Sequence, residues 1–202
     1  MWYSIAACLS GSQPTIGQVA GCHEGKPVIV EVYSDADEVE LLLNGTSIGR
    51  RPAGRQHRYR TEFEVPYTPG TLEAVTCTGD RAELRTATGE PRLTATADRP
   101  VIGADVDDLA FVDIALVDAD GVVFTNVERR VRVAIEGPGL LQGLGSADPA
   151  STEPFTDDNH PTFTGRALAV IRPTGPGEIR ALVTDDTGLR AEVTVTAEKS
   201  GK

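Results

Sequence analysis

The sequence predicts an all-β protein built as two tandem antiparallel immunoglobulin-like β-sandwiches, and three observations predict it. Hydrophobic residues make up 40% of the 202 residues, enough for real cores. The 21 glycines and 13 prolines break the chain into short segments with frequent turns. From Lys26 onward apolar residues recur at every second position, the period of half-buried strands. A chain of this length suits either one large β domain or two modules of about a hundred residues each. Two runs of strands, each near the size of one sandwich, favour two, with a boundary near Gly89-Glu90-Pro91.

Taken in order, residues 1–18 read as linker remnant or disordered chain. Ile5-Ala6-Ala7-Cys8 imitates the box before a lipidated cysteine, but only four residues precede it and no Lys or Arg comes before Lys26. A signal peptide needs a basic start and an apolar run of roughly 7 to 15 residues. The first module, residues 19–90, carries strands at PVIVEVYS, VELLL, TEFEVPY, TLEAVTC and AELRTAT. In PVIVEVYS, Val28, Val30 and Val32 share one face, and Ile29, Glu31 and Tyr33 the other. The second module, residues 91–198, carries RLTATAD, LAFVDIALVD, VRVAIEG, RALAVIRP, EIRALVTD and AEVTVTA. Turn signals separate them at Asp118-Ala119-Asp120-Gly121, Gly175-Pro176-Gly177 and Asp185-Asp186-Thr187-Gly188. Residues 199–202 form a tail. The longest stretch without strand pattern is 137–162, and a loop beyond about 12 to 15 residues is a candidate contact surface.

Charge and composition exclude several functions. The net charge is −11, and the halves before and after Glu90 are both acidic, which opposes nucleic-acid binding. Cys8, Cys22 and Cys77 cannot all pair and show no C-x-x-C spacing; His23, His57 and His160 share no ligand spacing and read as surface or loop residues. Neither a metal nor any other cofactor is expected, and no stretch is long enough to span a membrane.

Apparent catalytic motifs dissolve on inspection. GTSIG fits the G-x-S-x-G pattern of a nucleophilic serine, but Asn44-Gly45 before Ser47 is a hairpin signal, and Pro52 and Gly54 deny the following helix that a nucleophile elbow requires. Ser47 belongs on a return strand. Glu62 and Glu64 lie two apart on a strand, about 6 to 7 Å from one another, a spacing that overlaps glycosidase carboxylates. Alternation with Phe63 and Val65 makes them the wet face of a half-buried strand. Asp105, Asp107 and Asp108 lack the spacing of a calcium loop. GPGLLQG lacks the strand and helix of a nucleotide loop. Tyr33, Tyr59 and Tyr67 could serve a sugar surface in a chain only 5% aromatic, though each sits in a strand-like segment.

VEVYSDADEVELLLNGTSIG followed by FEVPYTPGTLEAV resembles the small sandwich behind the catalytic barrel of bacterial glycoside hydrolase family 2 enzymes, the β-galactosidase group. RLTATADRPVIGADVDDLAFVDIALVDADGVV, VAIEGPGLLQGLGSADPASTEPF and FTGRALAVIRP resemble that group's C-terminal immunoglobulin-like domain, in the expected order. The resemblance spans about residues 19–198. It departs from the family at Gln18-Val19-Ala20 and Phe63, where tryptophan is common, and at Ser146, where asparagine is common.

The resemblance implies a non-catalytic C-terminal fragment of a retaining β-glycosidase acting in bacterial carbohydrate metabolism, its modules supporting a catalytic barrel that needs around 250 residues of its own. No catalytic residue transfers to any position here. The expected partner is that barrel or a sister subunit, with Phe155 and Phe163 as apolar anchors, and the expected location is the bacterial cytoplasm, or outside the cell if the full-length parent carries a signal peptide. The alternative is a carbohydrate-binding module that holds glycan near the enzyme.

Overall fold

The computed structural model describes residues 4–9, 24–105 and 107–199, and the chain divides into two compact units, 1–87 and 88–202. The first unit contains β1 (Ser4–Leu9), β2 (Pro27–Tyr33), β3 (Glu38–Leu43), β4 (Thr46–Pro52), β5 (Arg60–Pro66), β6 (Thr71–Thr76) and β7 (Arg81–Arg85). They form a three-stranded sheet, β1-β2-β5, and a four-stranded sheet, β4-β3-β6-β7. Val28, Val30 and Val32 of β2 and Phe63 and Val65 of β5 share one buried cluster with Val39 and Leu41 of β3 and Ala74 of β6. Two sheets closing one core make a sandwich.

Ser4–Leu9, expected as linker, is instead a strand antiparallel to β2. The edge of β2 offers unpaired backbone groups, and a short extended segment satisfies them. The rest of 1–18 lies outside the described residues.

The second unit contains β8 (Arg92–Ala97), β9 (Val101–Gly103), β10 (Ala110–Val117), β11 (Arg130–Glu136), β12 (Gly139–Gly145), β13 (Asn159–Pro161), β14 (Arg166–Pro173), β15 (Gly177–Asp185) and β16 (Arg190–Glu198). One sheet runs β12-β14-β10-β8 and the other β13-β11-β15-β16-β9. All the pairings are antiparallel except β16 with β9. Val112, Ile114, Ala169 and Ile171 on the first sheet and Val131, Ile179, Val183 and Val195 on the second are fully buried. The chain passes from one sheet to the other at Asp98-Arg99-Pro100, where proline withdraws a backbone donor from the ladder.

One buried carboxylate ties the entry of this unit to the end of β10. Asp118 accepts backbone N–H groups from Thr88 at 3.0 Å and from Asp120 and Val122 at 2.9 Å each. Burial pushes its carboxyl up, but the N–H groups of Thr88, Val122, Asp120 and Gly121 outweigh that, holding it below the ordinary 3.8. A depressed folded value stabilises above the unfolded value and is lost as pH falls through the folded one. Urea denaturation should therefore show stability falling below about pH 4, and Asp118→Asn should both destabilise the neutral protein and flatten that acid limb.

The stretch 137–162 is not one loop. Gly139–Gly145 pairs with β14 through a register shift between Leu141 and Gly143, and Asn159–Pro161 pairs with β11. The bulge and the glycines erase the alternation that would have announced β12. Between these two strands, residues 146–158 are irregular.

Candidate functional site

The excluded motifs sit where local physics puts them. Asn44 and Gly45 both take positive φ, 51° and 77°, and turn β3 into β4. Ser47 Oγ donates to Glu40 Oε1 at 2.7 Å. Its hydrogen bond, with that of Arg50, keeps the Glu40 carboxyl below its usual range. No helix follows, only a 3₁₀ turn at Arg55–His57. Ser47→Ala should therefore remove one exposed hydrogen bond and shift stability by less than about 0.5 kcal/mol, as read by urea denaturation.

Glu62 and Glu64 line the exposed face of β5, and Arg60 pairs with Glu31 and Glu62. Asp108 receives the Gly103 N–H at 2.7 Å, Arg99 at 2.8 Å and the Leu109 N–H at 2.9 Å, so it braces a turn. Among the described residues no group of three or more His, Cys, Asp or Glu is placed to hold a metal ion. In GPGLLQG, Gly137-Pro138 is a tight turn and the remaining five residues are the start of β12. Cys77 is exposed with a free thiol.

His57 is exposed, as a surface residue should be, and His23 lies outside the described residues. His160 is different: it is fully buried. β13 pairs it opposite Val131, and its Nδ1 lies 2.8 Å from the Pro161 carbonyl, which it donates to. Phe155 stacks on the ring with centroids 6.0 Å apart and planes 20° apart. A histidine in a strand too short to show a period carries no sequence signal of burial.

Phe155 is the more informative of the two expected anchors. It is 59% exposed, packs over Gly145, and borders an open groove of about 460 Å³ on the outer face of the β10–β14–β12 sheet. The groove continues over Gly145, Ala147, Leu168 and Val170, with the Asp113–Arg166 ion pair at 2.7 Å along it. Phe111 and Leu168, on the same face, are 40% and 42% exposed. This outward face therefore carries phenylalanine and leucine where alternation should place polar residues. Phe163 is only half-buried in the tight turn before β14, bonded across it to Arg166.

Comparison with known proteins fits this architecture. The family described as glycoside hydrolase family 2 C-terminal domain 5 matches residues 93–196, and a domain family of unknown function matches 25–83. Beta-galactosidase BoGH2A of Bacteroides ovatus is 31% identical over 174 residues, covering 83% of this chain and 20% of its own length. A putative beta-glucuronidase of Formosa agariphila is 28% identical over 168 residues, covering 80% and 16%. The crystal structure of a glycosyl hydrolase family 2 member from Bacteroides cellulosilyticus superposes with a TM-score of 0.89 at 29% identity, over 98% of this chain and 28% of that one. The chain thus spans a fifth or less of the curated relatives it matches. With the second unit matched almost from end to end, this chain belongs to the C-terminal region of glycoside hydrolase family 2, carrying its C-terminal domain 5.

Proposed function

We propose that the chain acts as a pair of non-catalytic modules of a longer family 2 glycosidase, packing against the catalytic domain that the rest of such an enzyme supplies. The observation that carries this reading is the combination of family and extent: the chain matches relatives named as glycosidases over a fifth or less of their length. The outer face bearing Phe111, Leu168 and Phe155 is the proposed contact, because it leaves apolar side chains in water that a partner of a larger protein would cover.

Two results test it. Sequencing the coding region that adjoins this segment should reveal an in-frame catalytic barrel; a stop codon on either side with no barrel would contradict the reading. In that longer protein, Leu168→Asp should lower the temperature of activity loss, while the isolated chain should keep its stability within about 0.5 kcal/mol. Equal behaviour of the longer protein with and without the substitution would exclude this face as the contact.

A further inference from the structure

The segment Arg50-Arg51-Pro52-Ala53-Gly54-Arg55-Gln56-His57-Arg58-Tyr59-Arg60 holds five of the sixteen arginines and no acidic residue, in a chain of net charge −11. Crowding like charge this way opposes folding unless neighbours neutralise it. Arg50 pairs with Glu40 at 2.9 Å and Glu38 at 3.8 Å, and Arg60 with Glu31 and Glu62. Arg51, Arg55 and Arg58 have no carboxylate partner among the described residues. Arg51 lies 5.4 Å from the centroid of the Phe63 ring, a cation–π contact that holds its guanidinium where it lines the groove.

The connection between β4 and β5 is held rigid by its backbone. Gly54 donates to the Ser34 carbonyl at 3.2 Å, its own carbonyl accepts from His57 at 3.0 Å and Tyr59 at 2.7 Å, and Ser34 donates to the Tyr59 carbonyl at 2.9 Å. Arg58 and Tyr59 are held in consecutive left-handed conformations, φ 56° and 63°, which residues with a Cβ resist. The result is an open groove of about 640 Å³ with Arg51, Arg58 and Arg60 on its cationic side, His57 beside them, and Tyr33 and Pro52 as apolar wall; Glu62, engaged by Arg60, also lines it. Tyr33 is 38% exposed, its hydroxyl donating to Glu31 at 2.5 Å.

These groups select a ligand by chemistry. The guanidinium fork matches a carboxylate with two parallel hydrogen bonds. An exposed tyrosine face suits the C–H face of a flat ring-shaped ligand. The groove has the volume of a small-ligand site, not the long basic stripe that tracks a nucleic-acid backbone, and the acidic remainder of the chain repels an extended polyanion. We propose that this groove binds a uronic-acid residue of an acidic glycan, with Arg51 and Arg58 on the carboxylate and Tyr33 under the sugar ring. That the carboxylate is carried by a sugar rests on the family; the cationic groove itself does not.

The test is calorimetric titration of the 202-residue chain with a tetragalacturonate, with the neutral galactose tetramer, with a sulfated galactose tetramer, with tetraglutamate and with a short single-stranded oligodeoxynucleotide. The expected result is saturable binding of the uronate that weakens as salt is raised, no saturable binding of the neutral tetramer, and a loss of about tenfold or more on Arg58→Ala or Arg51→Ala. Arg58→Lys should recover only part of it, because an ammonium cannot form the fork. Unchanged melting temperatures of these exposed-site variants separate a lost contact from a lost fold. Unaltered affinity in the double alanine variant would overturn the proposal, as would tighter binding of the sulfated sugar. Equal binding of tetraglutamate or the oligodeoxynucleotide would overturn it in favour of an acidic protein or nucleic-acid partner. Since the readout is binding by the chain alone, its failure leaves the packing of the second unit on a catalytic domain untouched, and the reverse holds.

Discussion

Gly137→Ala is expected to be the most damaging single substitution in the second unit, lowering its stability by about 3 to 5 kcal/mol. Gly137 follows β11 with φ +90°, and a Cβ built there would sit 2.1 Å from the Glu178 carbonyl oxygen at the start of β15. Two penalties coincide: a left-handed backbone that alanine resists, and a backbone atom that cannot swing aside. The oxygen belongs to a strand paired with β11 in register from Glu136↔Arg180, so moving it disturbs the ladder. A domain has only about 5 to 15 kcal/mol in total, so the variant should lose much of its folded population in mild urea. Gly175→Ala, in a nearby turn with nothing within 4 Å of the built Cβ and no positive φ, is the control and should be nearly silent.

Ile114→Ala should cost about 2 to 5 kcal/mol, the range for emptying a packed core position. Ile114 is fully buried on β10, which lies between β8 and β14 and faces Ala95 and Ala167 across its two ladders. Both cross-strand neighbours are already small, so the void has little to collapse onto it. Phe111→Ala on the same strand removes a larger side chain from the outward face, and urea midpoints should show it much milder in the isolated chain. Comparable losses at both positions would mean that the outer face is as buried as the inner one.

β10 also shows how far the sequence could be read. Ala110 to Asp113 alternates buried and exposed as the period predicts, but Ile114 to Val117 is buried at every position. There the segment after the Asp118 turn returns to cover the strand, Phe124 donating its N–H to the Leu116 carbonyl while Leu116 donates to Gly165. Periodicity reports a strand with one wet face, so it found β2, β5, β8, β11 and their like, and the Asn44-Gly45 hairpin by its turn chemistry. It is silent where pairing depends on a distant partner. β13 is three residues long, β12 is bulged and glycine-rich, and β9 exists because β16 offers an edge to pair with.

The sites divide in the same way. The places of Ser47 on the return strand of a hairpin and of Glu62 and Glu64 on the exposed face of β5 were legible because turn chemistry and alternation fix them locally. The groove beside Phe155 was half legible: the irregular stretch marked the place, but Leu168 and Phe111 join it only through the register Asp113↔Leu168 and Phe111↔Val170. The arginine groove was not legible: the net charge of −11 hid it, and which of its arginines meet a carboxylate among the described residues depends on Glu31, Glu38 and Glu40, up to 29 residues away in sequence.

Hydrolysis measured on the purified 202-residue chain, with nitrophenyl β-galactoside and β-glucuronide as substrates, tests most directly whether these units present surfaces rather than reacting groups. The predicted result is release of nitrophenol at the rate of buffer alone. Turnover by this chain that disappears in Ser47→Ala or Glu62→Gln would contradict the account.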